Sequence, residues 1–104
     1  MQSAADQASE LLKALANRHR LLILCQIIDR ERSVGELADF LSLRDSTVSQ
    51  HLAVLRRDGL VAARRDGQTI WYSIASAPAR ALVETLYRVY CAPAACRPAG
   101  RGGR

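Results

Sequence analysis

The stretch from Ser33 to Gly59 has the spacing of two short helices joined by a tight turn. Ser33 and Glu36 have capping-box spacing, in which a hydroxyl and a carboxylate satisfy the free amides at a helix start. The first helix carries an apolar stripe: Leu37, Phe40 and Leu41. In the second helix apolar residues recur at i, i+4 and i+7, the period of one helix face: Val48, Leu52 and Leu55. Gly59 then stands where helices commonly end in the left-handed conformation.

The opposite face of the second helix is small and polar. Its candidate base-reading side chains are Ser46, Thr47, Ser49 and Gln50. Short hydroxyls and an amide can approach base edges in a DNA groove, and Arg56, just beyond them, can hold a phosphate. This arrangement is typical of a DNA-reading helix-turn-helix. An ordinary helical hairpin with a solvated face is the alternative for this stretch alone.

Beyond the second helix the apolar period changes from helical to alternating. Residues 60–65 and 68–74 are strand candidates around Asp66-Gly67, and Asp-Gly between two such runs is a strong hairpin signal. Arg64 and Arg65 lie beside the turn, where a two-stranded ribbon can place both against a DNA phosphate backbone. A solvated hairpin is the alternative. A hairpin directly after a helix-turn-helix favours a mainly α winged helix-turn-helix with a two-stranded β-hairpin, in the order α-α-α-α-β-β-α.

Two helices are expected before this motif and one after it. We expect residues 1–7 to be frayed, a first helix over 8–16, and a second, very apolar helix over 18–29 with Asn17 as its N-cap. The last helix begins around Pro78 and carries a wide apolar stripe: Leu82, Val83, Leu86, Val89 and Tyr90. That stripe and the first helix exceed what so small a domain can cover, which predicts a homodimer able to span two DNA half-sites.

The net charge of +5 comes almost wholly from arginine, since Lys13 is the only lysine. A net positive charge favours nucleic acid or another acidic surface as partner. No apolar run approaches membrane-spanning length, and the N-terminus lacks the pattern of a signal peptide. We therefore expect a cytoplasmic protein without membrane contact, whose three cysteines are reduced thiols. The expected organisation is one domain over 8–92 followed by a flexible basic tail over 93–104, with no cofactor.

From about Leu11 to Cys91 the chain resembles the ArsR/SmtB family of bacterial repressors. The resemblance rests on four segments: 12–24, 33–37, 48–61 and 64–74. It implies a homodimeric winged helix that binds double-stranded operator DNA and releases it when an inducer arrives. A thiol enzyme and a winged helix used only for protein contacts are the alternatives. The first lacks a Cys-x-x-Cys motif, and the second needs neither a basic hairpin nor a polar helix face.

The resemblance also allows the inducer sites of the family to be compared residue by residue. Arsenic- and cadmium-sensing members often carry Cys-Val-Cys before the first helix of the motif, where this chain has Ser33-Val34-Gly35. Zinc- and nickel-sensing members usually line the last helix with Asp, His and Glu. This chain offers only Glu84 there, with His19 and His51 elsewhere, which is too few ligands for a tetrahedral zinc site. No metal site of these common kinds is expected.

Cys25 and Cys91 match the persulfide-sensing (BigR/SqrR type) branch of the family. The resemblance implies that both react with sulfane sulfur and that the modified repressor releases DNA. Two alternatives stay open. Cys25 can be a core residue acting as a small hydrophobe, or Cys25, Cys91 and Cys96 together can bind arsenite, since three thiolates suit that soft ion. Cys96 departs from the branch pattern and is either inert or an additional resolving thiol.

Overall fold

The computed structural model describes residues 3–90, which form five α-helices and three β-strands. The elements are α1 Ala4–Leu15, α2 Arg18–Gln26, β1 Arg32–Ser33, α3 Val34–Leu41, α4 Asp45–Arg57, β2 Val61–Asp66, β3 Thr69–Ile74 and α5 Ala77–Tyr90. The mainly α winged helix-turn-helix is confirmed, with β1 as an addition. No helix in the described range is long and apolar enough to cross a bilayer.

The sheet has three strands, because β1 adds to the hairpin that the sequence predicts. Arg32 pairs with Tyr72 and Ser33 with Trp71, which gives the strand order β1-β3-β2. The two-stranded prediction missed β1 because two residues are too few to show an alternating pattern. Their pairing depends on where the chain passes β3 and not on their own sequence.

The hairpin turn lies one residue later than the sequence predicts. Asp66 pairs with Thr69, so the turn consists of Gly67 and Gln68, and Gly67 has a φ of 65°. Glycine at the first of two turn positions is the requirement of a type II′ turn, whose twist matches that of the strands. Asp66 is therefore the last paired residue of β2 and not part of the turn.

Capping side chains explain where the N-terminal helices begin. Asn17 accepts hydrogen bonds from the first amides of α2, as predicted. A capping box between Ser3 and Asp6 starts α1 at Ala4. The expectation that residues 1–7 are frayed is therefore wrong for residues 4–7, because the hydroxyl and the carboxylate satisfy the amides of that first turn.

Helix α2 ends at Gln26, earlier than the predicted end near Asp29. The following residues 27–31, here called the α2–β1 segment, are held by arginine side chains. Arg32 Nε donates to the carbonyl of Gln26 at 2.7 Å, and Arg80 Nη1 donates to the carbonyl of Ile28 at 2.6 Å. These bonds satisfy two carbonyls that would accept backbone hydrogen bonds if α2 continued. They also fix the segment between α2 and α5.

The core lies between α2 and the helix-turn-helix, as the apolar character of α2 predicts. Its largest fully buried side chains are Ile23, Leu24, Ile27, Leu37, Val48, Leu52, Leu55 and Val83. Phe40 does not join them, since 64% of it is exposed. Helix α3 buries Leu37 and Ala38, and successive residues are about 100° apart around a helix. Phe40 consequently lies beside the buried face, and its inclusion in the predicted apolar stripe is wrong.

The end of α4 turns directly into the wing. The amide of Gly59, which has a φ of 78°, donates to the carbonyl of Arg56, and the amide of Leu60 donates to the carbonyl of Leu55. This pair of bonds is a Schellman motif, and Leu60, which follows Gly59, is buried in the core. The carbonyl of Leu60 in turn accepts from the amide of Ala75, just after β3, at 2.9 Å.

Candidate nucleic-acid interface

The polar face of α4 is exposed opposite its buried side. Ser46, Ser49 and Gln50 are exposed, while Thr47 lies at the edge of the face and is half-buried. Arg56 extends the face at the C-terminal end of the helix, and no carboxylate among residues 3–90 forms an ion pair with it. The four predicted base-reading side chains therefore form one surface next to an arginine whose charge is uncompensated within the described chain.

A hollow separates this face from the wing. It is lined by Ser49, Leu52, Ala53, Arg56, Arg57 and Tyr72. Tyr72 was not identified from the sequence as a surface residue of this region. The alternation of β3 is the signal that could have found it, because side chains two apart share one face of a strand. Tyr72 lines this hollow together with a serine and two arginines.

The two wing arginines lie on opposite faces of the sheet. Arg65 pairs with Ile70 and shares the face of Tyr72, whereas Arg64 pairs with Trp71 on the other face. Arg65 is exposed, and no carboxylate within residues 3–90 forms an ion pair with it. The sequence placed both arginines beside the turn but did not separate their faces.

Arg64 forms a two-pronged ion pair with Glu31 of the α2–β1 segment. Its Nε lies 3.0 Å from Oε2 and its Nη2 lies 2.7 Å from Oε1. These hydrogen bonds are the main cause that lowers the pKa of Glu31, and the same bonds raise the pKa of Arg64. Asp66 adds a weaker contact at 3.9 Å. Glu31 was not identified from the sequence, because it is 33 positions away from its partner.

Cys25 is half-buried against the core. It lines a small hollow with Gln26, Ile28, Asp29, Arg32 and Tyr87. Tyr87 reaches this hollow from α5, so α2 and α5 meet at the cysteine. Cys91 and Cys96 lie outside the described residues. Within residues 3–90 there is no group of three or more His, Cys, Asp or Glu side chains that could hold a metal ion.

Comparison with known proteins identifies this architecture. Residues 17–63, from the start of α2 into β2, match the family described as "Bacterial regulatory protein, arsR family". Transcriptional activator HlyU from Vibrio cholerae is 50% identical over 91 residues, which cover 88% of this chain and 84% of HlyU. The chain belongs to the ArsR family.

Solved structures of ArsR-type regulators share the whole described fold. Reduced HlyU from Vibrio cholerae has a TM-score of 0.82 at 52% identity, covering 84% of this chain and 92% of HlyU. The transcriptional repressor BigR from Xylella fastidiosa has a TM-score of 0.77 at 40% identity, covering 85% and 87% of the two chains. A homodimeric winged helix-turn-helix DNA-binding domain from Mycobacterium bovis has a TM-score of 0.73 at 35% identity, covering 85% and 86%.

This membership fixes the broad function of the protein. As an ArsR-family protein the chain is a DNA-binding transcriptional regulator and not an enzyme. In helix-turn-helix proteins the second helix of the motif lies in the major groove, and α4 is the second helix of the motif here.

Proposed function

We propose that the protein is a cytoplasmic homodimeric repressor that binds operator DNA while its thiols are reduced. Sulfane sulfur releases it by linking Cys25 to Cys91. The observation that carries this proposal is the hollow in which Cys25 of α2 meets Tyr87 of α5. There α2, which packs against the helix-turn-helix, and α5, the last helix, lie next to each other at the half-buried thiol of Cys25.

In this proposal Ser46, Thr47, Ser49 and Gln50 read base edges in the major groove. Arg56 and Tyr72, which line the hollow between α4 and the wing, and Arg65, which shares the sheet face of Tyr72, hold phosphate oxygens. Arginine forks and hydroxyl groups are suitable donors to phosphate. Arg64, expected from the sequence to join them, has its guanidinium engaged by Glu31 and is assigned a different role below.

Dimerisation is supported by apolar side chains that the described chain leaves uncovered on its first and last helices. These exposed residues are Leu12, Tyr87, Val89 and Tyr90. The relative from Mycobacterium bovis is described as homodimeric. A twofold pair would place two copies of α4 about 34 Å apart, the distance of one helical turn of DNA.

The proposed thiol chemistry needs no separate oxidant. A thiolate attacks the outer sulfur of a persulfide donor RSSH, takes that sulfur and releases RSH. When Cys25 and Cys91 both carry a persulfide, the terminal sulfur of one attacks the inner sulfur of the other and expels hydrogen sulfide. Two donors and two thiols then yield one trisulfide, two RSH and one H₂S.

The position of Cys25 suits a sulfur bridge to the end of α5. In the sequence Cys91 follows Tyr90, the last residue of α5, and comes four positions after Tyr87. The proposal requires the Cys91 thiol to reach the hollow that Tyr87 lines. Each additional sulfur lengthens a bridge by roughly 2 Å, so a polysulfide can join thiols that are too far apart for a direct disulfide.

Such a bridge would tie α2 of the DNA-reading unit to α5 of the dimer frame. Operator binding requires the spacing of the two recognition helices to match the groove repeat, so a displacement of a few ångströms removes it. Coupling between two sites is typically about 1–3 kcal/mol. That range corresponds to a loss of affinity large enough to empty an operator when the repressor is scarce.

The test is an operator-release assay with mass spectrometry of the thiols after treatment with glutathione persulfide, peroxide or arsenite. Reduced protein should bind, and the persulfide should release it with the mass of a Cys25–Cys91 polysulfide. Cys25→Ser and Cys91→Ser should bind but not respond, whereas Cys96→Ser should respond as the parent does. Release of Cys25→Ser by persulfide would overturn the switch, and arsenite release that requires all three thiols would favour a metalloid sensor.

A promoter fusion tests the direction of regulation. Deleting the chain should raise transcription from its operator, because the proposal makes it a repressor. A fall in transcription on deletion would instead make the protein an activator, as HlyU is described.

A further inference from the structure

We propose that Glu31 is the residue that positions the wing, and that it does so by keeping Arg64 away from the DNA phosphates. This inference rests on the proposed contact between the wing and DNA. It assigns opposite roles to two neighbouring arginines: Arg65 holds phosphate, and Arg64 anchors the hairpin to the body of the domain.

The support that β1 gives to the wing ends well before the turn. β1 pairs with β3 only at Tyr72 and Trp71, so the hairpin beyond these residues is a two-stranded ribbon, which is marginally stable by itself in water. Arg64 is the residue of β2 that pairs with Trp71. Its ion pair with Glu31 therefore holds the wing at the last point where a third strand is present.

Glu31 lies in a stretch of chain that hydrogen bonds tie to α2 and α5. It ends the α2–β1 segment, whose carbonyl at Ile28 accepts from Arg80 of α5, and it directly precedes Arg32, which donates to Gln26. A carboxylate fixed in this way can set the position of the strand it binds. The segment also contributes Ile28 and Asp29 to the Cys25 hollow, so the wing anchor and the thiol share one support.

The geometry of the pair explains why Arg64 is a poor phosphate ligand here. Two of its five N–H donors, on Nε and Nη2, are engaged by Glu31 at 3.0 and 2.7 Å, and the carboxylate offsets the charge that would attract a phosphate. Arg64 also lies on the sheet face opposite Tyr72 and the α4 hollow, which is the side where Arg65 is exposed. The two arginines therefore differ both in the charge beside them and in the face of the sheet on which they lie.

A charge swap tests this role directly. Operator affinity of the reduced protein is measured over a range of salt concentrations for Arg64→Glu, Glu31→Arg and the combination of both. Arg64→Glu sets two carboxylates against each other and should lower affinity about tenfold, and the swapped pair should recover most of that loss because opposite charges again meet. A direct phosphate contact by Arg64 predicts instead that the swapped pair stays as weak as Arg64→Glu.

The dependence on salt gives a second readout, which a direct phosphate contact by Arg64 would move. Arg65→Ala should reduce the slope of log affinity against log salt by about one, whereas Arg64→Ala should leave it unchanged. A reduced slope for Arg64→Ala would overturn the inference. Circular dichroism and thermal melting confirm that each variant is folded, and Arg64→Ala decides the question if a charge-reversed variant does not fold.

Failure of this inference can be told apart from failure of the proposed function. If the parent protein shows no salt-dependent operator binding, the DNA-binding proposal itself is wrong. If the parent binds and Arg65→Ala lowers the slope, but the swapped pair does not recover, only the role of Glu31 is wrong.

Discussion

The imidazole of His19 in the first turn of α2 meets the imidazole of His51 in α4 edge to face, with ring centroids 5.6 Å apart and planes at 69°. Burial is the main cause that lowers the pKa of His51 from its ordinary value of 6.5, and the positive charges of Arg20 and His19 lower it further. Helix α4 is thus packed on α2 through His51, a histidine whose neutral form is favoured by folding.

The folded protein should lose stability as the pH falls below about 6.5. The unfolded chain binds a proton at His51 more readily than the folded chain, so acidification stabilises the unfolded state until the pH passes the lowered pKa as well. Urea unfolding of the parent and of His51→Gln between pH 7.5 and 5.5 measures this. The variant should show a smaller fall in the free energy of unfolding, and equal falls would contradict the assignment.

Gln50 and Arg65 should affect DNA binding in different ways. Gln50→Ala should cost about 1–3 kcal/mol on the operator and relax sequence preference at one base pair, because an amide on the exposed face of α4 reads a base edge. Arg65→Ala should weaken all sequences alike and reduce the salt slope. Binding to a set of singly substituted operators at several salt concentrations separates the two. A change of sequence preference in Arg65→Ala, with unchanged salt dependence, would show that the wing is wrongly assigned.

Val89→Glu should convert the protein to monomers with little operator affinity. Val89 is 66% exposed on α5, so a charge there should disturb the subunit contact and not the core of one chain. Phe40→Glu is the matched control, since Phe40 is 64% exposed but lies on α3, away from the first and last helices. Light scattering should find Phe40→Glu dimeric. A dimeric Val89→Glu would place the interface elsewhere.

Ser33→Ala should lower the free energy of unfolding by about 1 kcal/mol. It removes the hydroxyl that accepts a hydrogen bond from the amide of Glu36 in the capping box that starts α3. Ser3→Ala removes the same bond at the start of α1 and should cost less, because that exposed first turn can fray while the core stays intact. Urea denaturation of the two variants provides the comparison. A larger cost at Ser3 would mean that the N-terminal turn is an integral part of the fold.

Features set by neighbouring residues were predictable from the sequence. The buried face of α4 follows from the spacing of Val48 and Leu52, and its end follows from Gly59, which adopts the left-handed conformation where the pattern requires it. The cap at Asn17 is equally local. In each case the residues that determine the structure lie within one or two helical turns of it.

Features set by packing were not predictable. Phe40 has the right spacing for an apolar stripe, but the angle at which α3 meets the core leaves it exposed. Strand β1 exists only because its two residues pass beside β3. The bond between Glu31 and Arg64 joins segments that have no periodic relation, so no local pattern separates the anchoring arginine from the exposed one.

The hydrogen bond from the amide of Ala75 to the carbonyl of Leu60 closes the base of the wing. The chain leaves the end of α4 and returns to the start of α5 at this one point. The spacing of the helices therefore does not depend on the length of the hairpin. Residues added between Gly67 and Gln68 would lengthen a side arm and leave the spacing of the helices unaltered. The turn is therefore a position at which an insertion, such as a fluorescent peptide tag, can be carried without rebuilding the fold.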